Sequence, residues 1–347
     1  MRRGVGGGAS PGARRRLPAG EDRLCRRRQD GAGDRFRRRY RYLLLQCRIR
    51  AGDCTHLGDR DSEGPDGAGR RPRQPRRRRQ DHHKITTGKA ENKFGVPYLR
   101  AREVYAHAAG LPGIRLGGVD MHIGSQITDL APFDEAYGLL ADLVHDLRAD
   151  GHQIDHVDGG GGLGIPYRLD DPPPPEPAAY GEIVRRRLGN LGCRILFEPG
   201  RVFVGNAGIL VTEVLYVKAG ATKTFVVVDA AMNDLIRPTL YDAHHDIRPV
   251  QRPEPNRATI VADVVGGVCE TGDYLALDRT MPEVMPGDLL AIMTAGAYGA
   301  VQASTYNTRP LLPEILVKGG DFAVVRPRQT YDDLIGMDAI APWLEEK

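Results

Sequence analysis

The clearest helical pattern lies between residues 133 and 147. Apolar side chains recur there at every third or fourth position, and Asp129 and Pro132 stand near the start of the run. This spacing predicts an amphipathic helix that packs one apolar face against a sheet. The apolar positions are Phe133, Ala136, Tyr137, Leu140, Leu143, Val144 and Leu147.

Short apolar runs alternate with helical segments in the first part of the chain. Helices are predicted at 104–109 and 180–188, and strands at 116–123, 154–157 and 194–197. The alternation predicts a parallel sheet whose loops meet at one edge. After residue 208 the pattern changes to short strands between Gly and Pro, which predicts an all-β second domain. These runs are 209–217, 224–229, 258–265, 274–277, 289–294 and 314–318.

Charge divides the chain more sharply than the apolar pattern does. Residues 1–80 hold 24 Arg, no Lys and 9 acidic residues, a net charge of +15, whereas residues 81–347 carry −11. Arg, Gly, Ala and Pro all have GC-rich codons, so we interpret residues 1–80 as an off-frame translation of a GC-rich gene. The alternatives are a disordered basic arm that binds nucleic acid, or an unusual folded domain. We therefore divide the chain into 1–80, 81–207 and 208–347.

Cysteine usage and hydropathy bear on the location of the protein. The five cysteines are odd in number and show no C-x-x-C spacing, so they suggest neither a disulfide framework nor a zinc knuckle. We found no apolar run long enough to span a bilayer and no apolar core of a signal peptide. These features predict a soluble, cytoplasmic protein without a membrane partner.

A glycine stretch at 159–164 follows the second predicted strand. Gly159, Gly161 and Gly164 match the G-x-G-x-x-G spacing of a dinucleotide fingerprint, but Pro166 follows where that fingerprint requires a helix. Taken alone, the stretch is either a phosphate-binding loop or an ordinary turn. The motifs beside it decide between them.

Two further strand ends carry polar residues that belong to the same predicted edge. One is HIGSQ at 122–126 and the other is EPGR at 198–201. Together with DGGGGLGI at 158–165, CETGD at 269–273 and GAYG at 296–299, they resemble the fold-type III pyridoxal-phosphate decarboxylases, from about Lys84 to the C-terminus. The resemblance implies a (β/α)8 TIM-type barrel of the alanine-racemase kind, followed by the β-domain.

The resemblance also implies a role for each matching residue around pyridoxal 5′-phosphate. His122 would stack on the pyridine ring, Glu198 would pair with the ring nitrogen, and Arg201 would bind a substrate carboxylate. The phosphate would be bound by the remaining members of the set, namely Ser125, Gly160, Gly161, Gly162, Gly200 and Tyr298.

The second domain is expected to supply the remaining substrate contacts. Arg237 and Tyr241 match positions that bind the substrate carboxylate, and Tyr298 is counted with them. Cys269 would protonate the substrate α-carbon in the site of a partner subunit, and Glu270 would bind the distal amino group there. The resemblance therefore implies a homodimer that decarboxylates meso-2,6-diaminopimelate to L-lysine.

One departure from the family pattern is serious. The family attaches its cofactor through a Schiff-base lysine upstream of residue 84, and residues 1–80 contain no lysine. Lys84, Lys89 and Lys93 belong to a different motif, so none of them takes that role. Residues 81–205 supply only the second half of a barrel that takes about 250 residues. We predict that the chain as written lacks decarboxylase activity.

Alternative functions remain open at this point. Within the enzyme class the alternative is a related decarboxylase of ornithine, arginine or a carboxylated polyamine, and outside it a nucleic-acid-binding protein that uses the basic arm. A metal is not expected: His152, Asp155, His156 and Asp158 are interpreted as a solvated strand edge. The triplet 244–246, His-His-Asp, is interpreted as a loop.

Overall fold

The structure is a computed structural model that describes residues 47–49 and 95–344. Residues 1–46 and 50–94 lie outside the described residues, and with them most of the segment interpreted as off-frame or as a basic arm. Lys84, Lys89 and Lys93 also fall there.

Four parallel strands form the first sheet. In sheet order they are β1 (Cys47–Ile49), β2 (Gly118–Met121), β3 (His156–Asp158) and β4 (Arg194–Leu196). Asp120 pairs with Asp158, and Asp158 pairs with Leu196, so the carboxyl ends of β2, β3 and β4 are level. The loops that follow these three strands therefore begin side by side. The strand β1 lies inside the segment 1–80, whose origin stays a prediction.

Helices connect and cover this sheet. They are α1 (Ala101–Ala109), α2 (Ala131–Ala149) and α3 (Pro177–Leu188), and the one-turn helix α4 (Arg201–Val204) follows β4. All seven apolar positions of the pattern at 133–147 are buried in α2, with Pro132 in its first turn. They join apolar residues of the sheet, including Val119 and Val157, in one buried cluster. The apolar period thus predicted both the helix and the face that it buries.

The second domain is built on a six-stranded sheet. Its order is β7 (Ile247–Pro249), β10 (Leu289–Ile292), β5 (Leu210–Ala219), β6 (Thr224–Val228), β8 (Thr259–Val265) and β9 (Tyr274–Pro282). Only the β6–β8 pair is parallel among these described strands. A separate buried cluster fills this part of the protein. The two clusters lie on either side of residue 208, although the domain boundary itself stays a prediction.

Smaller elements complete the described chain. The strands β11 (Glu314–Lys318) and β12 (Asp321–Arg326) form a hairpin, and two short helices are α5 (Arg237–Tyr241) and α6 (Tyr331–Ile335). None of β7, β12, α4, α5 or α6 was predicted from the sequence. The 3-10 helices are Tyr98–Arg100, Gly189–Leu191, Gly205–Ala207, Ala300–Gln302, Tyr306–Thr308 and Pro342–Leu344. No helix of residues 95–344 is both long and apolar enough to cross a membrane.

The interpretation of residues 152–158 as a solvated strand edge was wrong for two of its four members. His156 is 2% exposed and Asp158 is 6% exposed. The reason is that β3 pairs with strands on both sides, so neither of its edges faces water. The His156 ring lies directly over Gly118, where a Cβ atom would stand 2.1 Å from Nε2.

Candidate active site

A cleft of 310 Å³ opens where the loops after β2, β3 and β4 meet the second domain. Its walls combine residues of both parts of the chain. The lining residues are His122, Ser125, Gly162, Leu163, Glu198, Gly200, Arg201, Arg237, Tyr241, Tyr298 and Gln302. Nine of these eleven were predicted as site residues from the sequence. The parallel order of the strands brings the three polar loops to one edge, which accounts for the six that precede residue 208. The other three, Arg237, Tyr241 and Tyr298, were expected from the family resemblance.

The glycine stretch is shaped by close approach of backbone on three sides. Cβ atoms at Gly160, Gly161 and Gly162 would stand 2.2–2.4 Å from carbonyl oxygens at the end of β2, in the loop after β4 and in the loop after β2, respectively. Gly160 and Gly162 also have positive φ angles of 67° and 106°, which L side chains rarely adopt. Of the three, only Gly162 lines the cleft, so phosphate contacts of Gly160 and Gly161 stay a prediction.

Hydrogen bonds fix the glycine stretch to its neighbours. Asp158 Oδ1 accepts from the Gly160 N–H at 2.8 Å, and the Glu198 N–H donates to the Gly160 carbonyl at 2.9 Å. The Tyr137 hydroxyl, from α2, donates to the Gly159 carbonyl at 3.1 Å. Burial raises the pKa of Tyr137, so this hydroxyl stays protonated and able to donate.

Three carboxylates gather at the strand ends. Oxygens of Asp120, Asp158 and Glu198 lie within 4.8 Å of one another, with the two aspartates buried and Glu198 exposed. Such a group favours a positive charge beside it, either a cation or a protonated nitrogen of a ligand. The sequence interpretation missed Asp120, although its place at the end of β2, two residues before His122, was a usable signal.

Two buried arginines also line the cleft. Arg201 is 6% exposed and Arg237 is 4% exposed. Both guanidinium groups lie over the ring of Tyr167, with Cζ 5.5 Å and 4.7 Å from its centroid. Arg201 donates to the Tyr167 hydroxyl and to Ser125 Oγ, the latter at 3.1 Å. Its buried Nε has no hydrogen-bond partner among the described residues.

A buried histidine holds the second arginine. Arg237 Nη1 lies 2.9 Å from His245 Nε2, and His245 is fully buried. Burial lowers the pKa of Arg237, and the nearby charge of Arg201 lowers it further.

The interpretation of 244–246 as a loop was right about the backbone, since His245 lies between α5 and β7. Sequence reasoning missed both Tyr167 and His245 because neither belongs to a periodic pattern or a recognised motif.

Tyr298 closes the cleft over the first arginine. Its ring centroid lies 5.0 Å from Arg201 Cζ, and its backbone has a φ of 58°, which is unusual for a residue with a side chain. A Cβ atom on Gly200 would stand 3.1 Å from the Tyr298 hydroxyl. The absence of a side chain at Gly200 therefore leaves room for the Tyr298 hydroxyl beside it.

Cys269 and Glu270 do not line this cleft. Both are exposed, on the loop between β8 and β9. Asp273 shapes that loop, because its carboxylate accepts from the N–H groups of Val268 at 2.6 Å and Met232 at 2.7 Å. The Tyr306 hydroxyl donates to Glu270 Oε2 at 2.8 Å. Their use in the site of a partner subunit stays a prediction.

The chemistry of the cleft fits pyridoxal phosphate. An imidazole at His122 suits the face of a pyridine ring, a carboxylate at Glu198 suits its protonated nitrogen, and a hydroxyl at Ser125 suits a phosphate. The Gly161 N–H donates to His122 Nδ1, with 3.4 Å between the two nitrogen atoms. None of the lysines within residues 95–344 lines the cleft.

Comparisons with known proteins agree with this chemistry. Residues 34–296 match the family described as "Pyridoxal-dependent decarboxylase, C-terminal sheet domain". Diaminopimelate decarboxylase of Zymomonas mobilis is 48% identical over 263 residues, which are 76% of this chain and 62% of that protein. The enzyme of the same name from Neisseria meningitidis is 48% identical over 251 residues, covering 72% and 61%.

A solved structure is similar as well. Diaminopimelate decarboxylase from Helicobacter pylori, complexed with L-lysine, superimposes with a TM-score of 0.68 at 39% identity, covering 74% of this chain and 63% of that one. The chain thus spans about 60% of the length of these relatives. The family match begins at residue 34, whereas the resemblance seen in the sequence motifs begins only at about Lys84.

Proposed function

This chain belongs to the pyridoxal-dependent decarboxylase family, and on that basis we propose that its cleft binds pyridoxal phosphate and a diamino-dicarboxylic acid. The reaction we propose for the whole enzyme is decarboxylation of meso-2,6-diaminopimelate to L-lysine. The names of the relatives at 48% identity support this substrate.

The pair of buried arginines is the observation that carries the proposal. Arg201 and Arg237 line one cleft, and the partners described above for both are uncharged: Tyr167, Ser125 and His245. Burying guanidinium groups is costly unless an anion compensates them. A substrate that keeps one carboxylate while it loses another would supply that anion. Ornithine, arginine and polyamine derivatives carry no such second carboxylate, so the arginine pair favours the diamino-dicarboxylate.

Each cleft residue has a defined task in this proposal. When bound, pyridoxal phosphate supplies an acceptor for the electron pair left when carbon dioxide departs. Glu198 keeps a proton on the pyridine nitrogen, and His122 covers the ring. Ser125, the glycine loop and Tyr298 bind the phosphate, while Arg201, Arg237 and Tyr241 orient the substrate through the carboxylate that it retains.

The final proton transfer is assigned to a second subunit. The bond between the α-carbon and its carboxylate breaks, carbon dioxide leaves, and the electron pair is neutralised by a proton from the Cys269 thiol of the partner chain. Solvent then restores that proton. Glu270 binds the distal amino group of the substrate. Cys269 and Glu270 are exposed and do not line the cleft of their own chain, which supports a homodimer with shared sites.

The two described cysteines bear on the location. Cys193 and Cys269 are both free thiols. Free thiols suit a reducing compartment, which supports the cytoplasm as the place of this reaction.

Ligand binding tests the proposal without requiring turnover. We expect the chain to bind meso-2,6-diaminopimelate more tightly than ornithine or arginine in isothermal titration calorimetry, and we expect Arg237→Gln to abolish the preference. Equal affinities in the unaltered chain would contradict the proposed substrate.

A second assay addresses activity. We expect no carbon dioxide from this chain with added pyridoxal phosphate, because the lysine that binds the cofactor has no counterpart in the cleft as described. Release of carbon dioxide, together with a lysine that borohydride links to the cofactor, would contradict that expectation.

A further inference from the structure

His245 has no task in the proposed reaction, yet its side chain is fully buried beside the cleft residue Arg237. The chain reaches this position because it reverses after α5. Asp242 has a φ of 51°, and the Ala243 N–H donates to the Arg237 carbonyl at 3.3 Å. The reversal returns the loop to the start of α5 and places His245 against the Arg237 side chain.

The hydrogen bonds of His245 determine which nitrogen carries its proton. A guanidinium group has only donors, so Nε2 must accept from Arg237 Nη1 across the 2.9 Å that separates them. Nδ1 lies 2.8 Å from the carbonyl oxygen of Met293, which has only lone pairs, so Nδ1 must donate. The ring is therefore neutral, with its proton on Nδ1.

The surroundings keep the ring neutral. Burial lowers the pKa of His245 to about 4, and the positive charges of Arg237, His244 and Arg201 act in the same direction. The Tyr167 ring meets His245 edge to face, with centroids 5.3 Å apart and an interplanar angle of 86°. The same Tyr167 ring lies beneath the Arg237 guanidinium. Arg237 is thus held from two directions by uncharged groups.

We propose that His245 is a positioning residue that aims the Arg237 guanidinium at the carboxylate retained by the substrate. This inference rests on the proposed function of the cleft. The imidazole occupies one N–H of Arg237 and leaves other N–H groups of this cleft residue for the ligand. A carboxylate in place of the His245 ring would neutralise the charge of Arg237, and a cationic ring would repel it. A neutral acceptor therefore leaves Arg237 charged and able to bind the ligand.

A matched pair of variants separates positioning from simple packing. In His245→Gln the side-chain amide oxygen can still accept from Arg237. In His245→Phe a ring still fills the space, but no acceptor remains.

Two ligands report on the carboxylate contact: L-lysine and 1,5-diaminopentane differ only in one carboxylate. Both keep their charges between pH 4 and 7, so the protein alone changes over that range.

The experiment is titration calorimetry of the full chain and both variants with the two ligands at pH 7. We expect His245→Phe to weaken L-lysine binding about tenfold or more, since hydrogen bonds to charged groups are among the stronger ones. Binding of 1,5-diaminopentane should not change, and His245→Gln should stay close to the unaltered chain. An unchanged ratio of the two affinities in His245→Phe would overturn the inference.

The pH dependence provides a second measurement if His245→Phe fails to fold. In the unaltered chain, L-lysine affinity should fall between pH 6 and 4, as His245 gains a proton and can no longer accept. His245→Gln should lack that fall, and the same fall in both proteins would also overturn the inference. If the unaltered chain binds L-lysine no more tightly than 1,5-diaminopentane at pH 7, the proposed function of the cleft fails first, which is a distinct result.

Discussion

Replacing Gly161 by alanine should separate the loops that follow β3 and β4. The new Cβ would stand 2.2 Å from the Glu198 carbonyl oxygen and 3.2 Å from its carbonyl carbon. Ordinary contacts of carbon atoms begin at about 3.5 Å, so the two loops must move apart by roughly 1 Å. Gly161 is absent from the residues with positive φ, so a steric clash is the whole cause.

The cost of this movement can be worked out from the contacts that it stretches. Forcing a methyl group into a packed region costs about 1–3 kcal/mol. The Glu198 N–H bond to the Gly160 carbonyl and the Gly159 N–H bond to the Leu196 carbonyl, both 2.9 Å, span the same gap. Weakening them adds about 1 kcal/mol. We expect Gly161→Ala to lower the free energy of unfolding by about 2–4 kcal/mol.

Gly181→Ala is the matched control. Gly181 lies in α3, is exposed, and would have no atom within 4 Å of a new Cβ. The same chemical change should stabilise the protein there by about 0.5–1 kcal/mol, because alanine favours helix. The opposite signs of the two effects distinguish local crowding from any general effect of adding a methyl group.

Urea titration gives the free energies, and pyridoxamine 5′-phosphate gives a second readout. This compound keeps the ring and phosphate of the cofactor but lacks the aldehyde, so it binds without a lysine. Because Glu198 lines the cleft and must move in Gly161→Ala, affinity should fall in that variant and not in Gly181→Ala. A Gly161→Ala protein with unaltered stability would refute the steric argument.

Three further predictions concern the hydrophobic core, the loop after β8 and the dependence of stability on pH. Leu140→Ala should cost about 2–5 kcal/mol in urea titration, whereas Leu169→Ala, at a residue 79% exposed, should change stability by less than about 0.5 kcal/mol. Asp273→Asn should cost about 1.5–3 kcal/mol in the same assay, since the buried carboxylate accepts two backbone N–H groups. His245 has its pKa lowered from 6.5 to about 4, so the unfolded chain binds more protons in that range, and stability should decline by about 3 kcal/mol as pH falls from 6.5 to 4. His245→Phe should lose this decline, and a decline of equal size in that variant would contradict it.

The elements that could be predicted are those whose apolar residues have a period. The helix α2 shows this most clearly, because the seven apolar positions named from the sequence are the seven that the structure buries. The short helix α5 has no comparable period: it is five residues long and begins Arg-Pro. All six residues of β12 are exposed, so burial imposed no apolar alternation on it. The helix α5 is held by tertiary contacts such as that of Thr239 with Gly272, and β12 is held by its pairing with β11, neither of which an apolar pattern records.

The same distinction holds within the cleft. His122, Glu198 and Arg201 could be predicted because each follows a strand in a recognisable motif, and parallel strands bring such positions together. Tyr167 and His245 could not, since neither belongs to a periodic pattern or a recognised motif and both contribute through contacts that only the folded chain makes. Tyr167 lies 34 residues before Arg201. Its ring contacts Arg237, which is in the second domain.

Tyr167 also explains how two cationic side chains from different parts of the chain can share one cleft. Arg201 comes from the end of the parallel sheet, and Arg237 comes from α5 beside the six-stranded sheet. Burial is the main cause of the lowered pKa of Arg237, and repulsion by the charge of Arg201 lowers that pKa further. An aromatic ring that attracts both guanidinium groups offsets part of this repulsion without neutralising either one. An anionic ligand between the two guanidinium groups would offset the remaining repulsion.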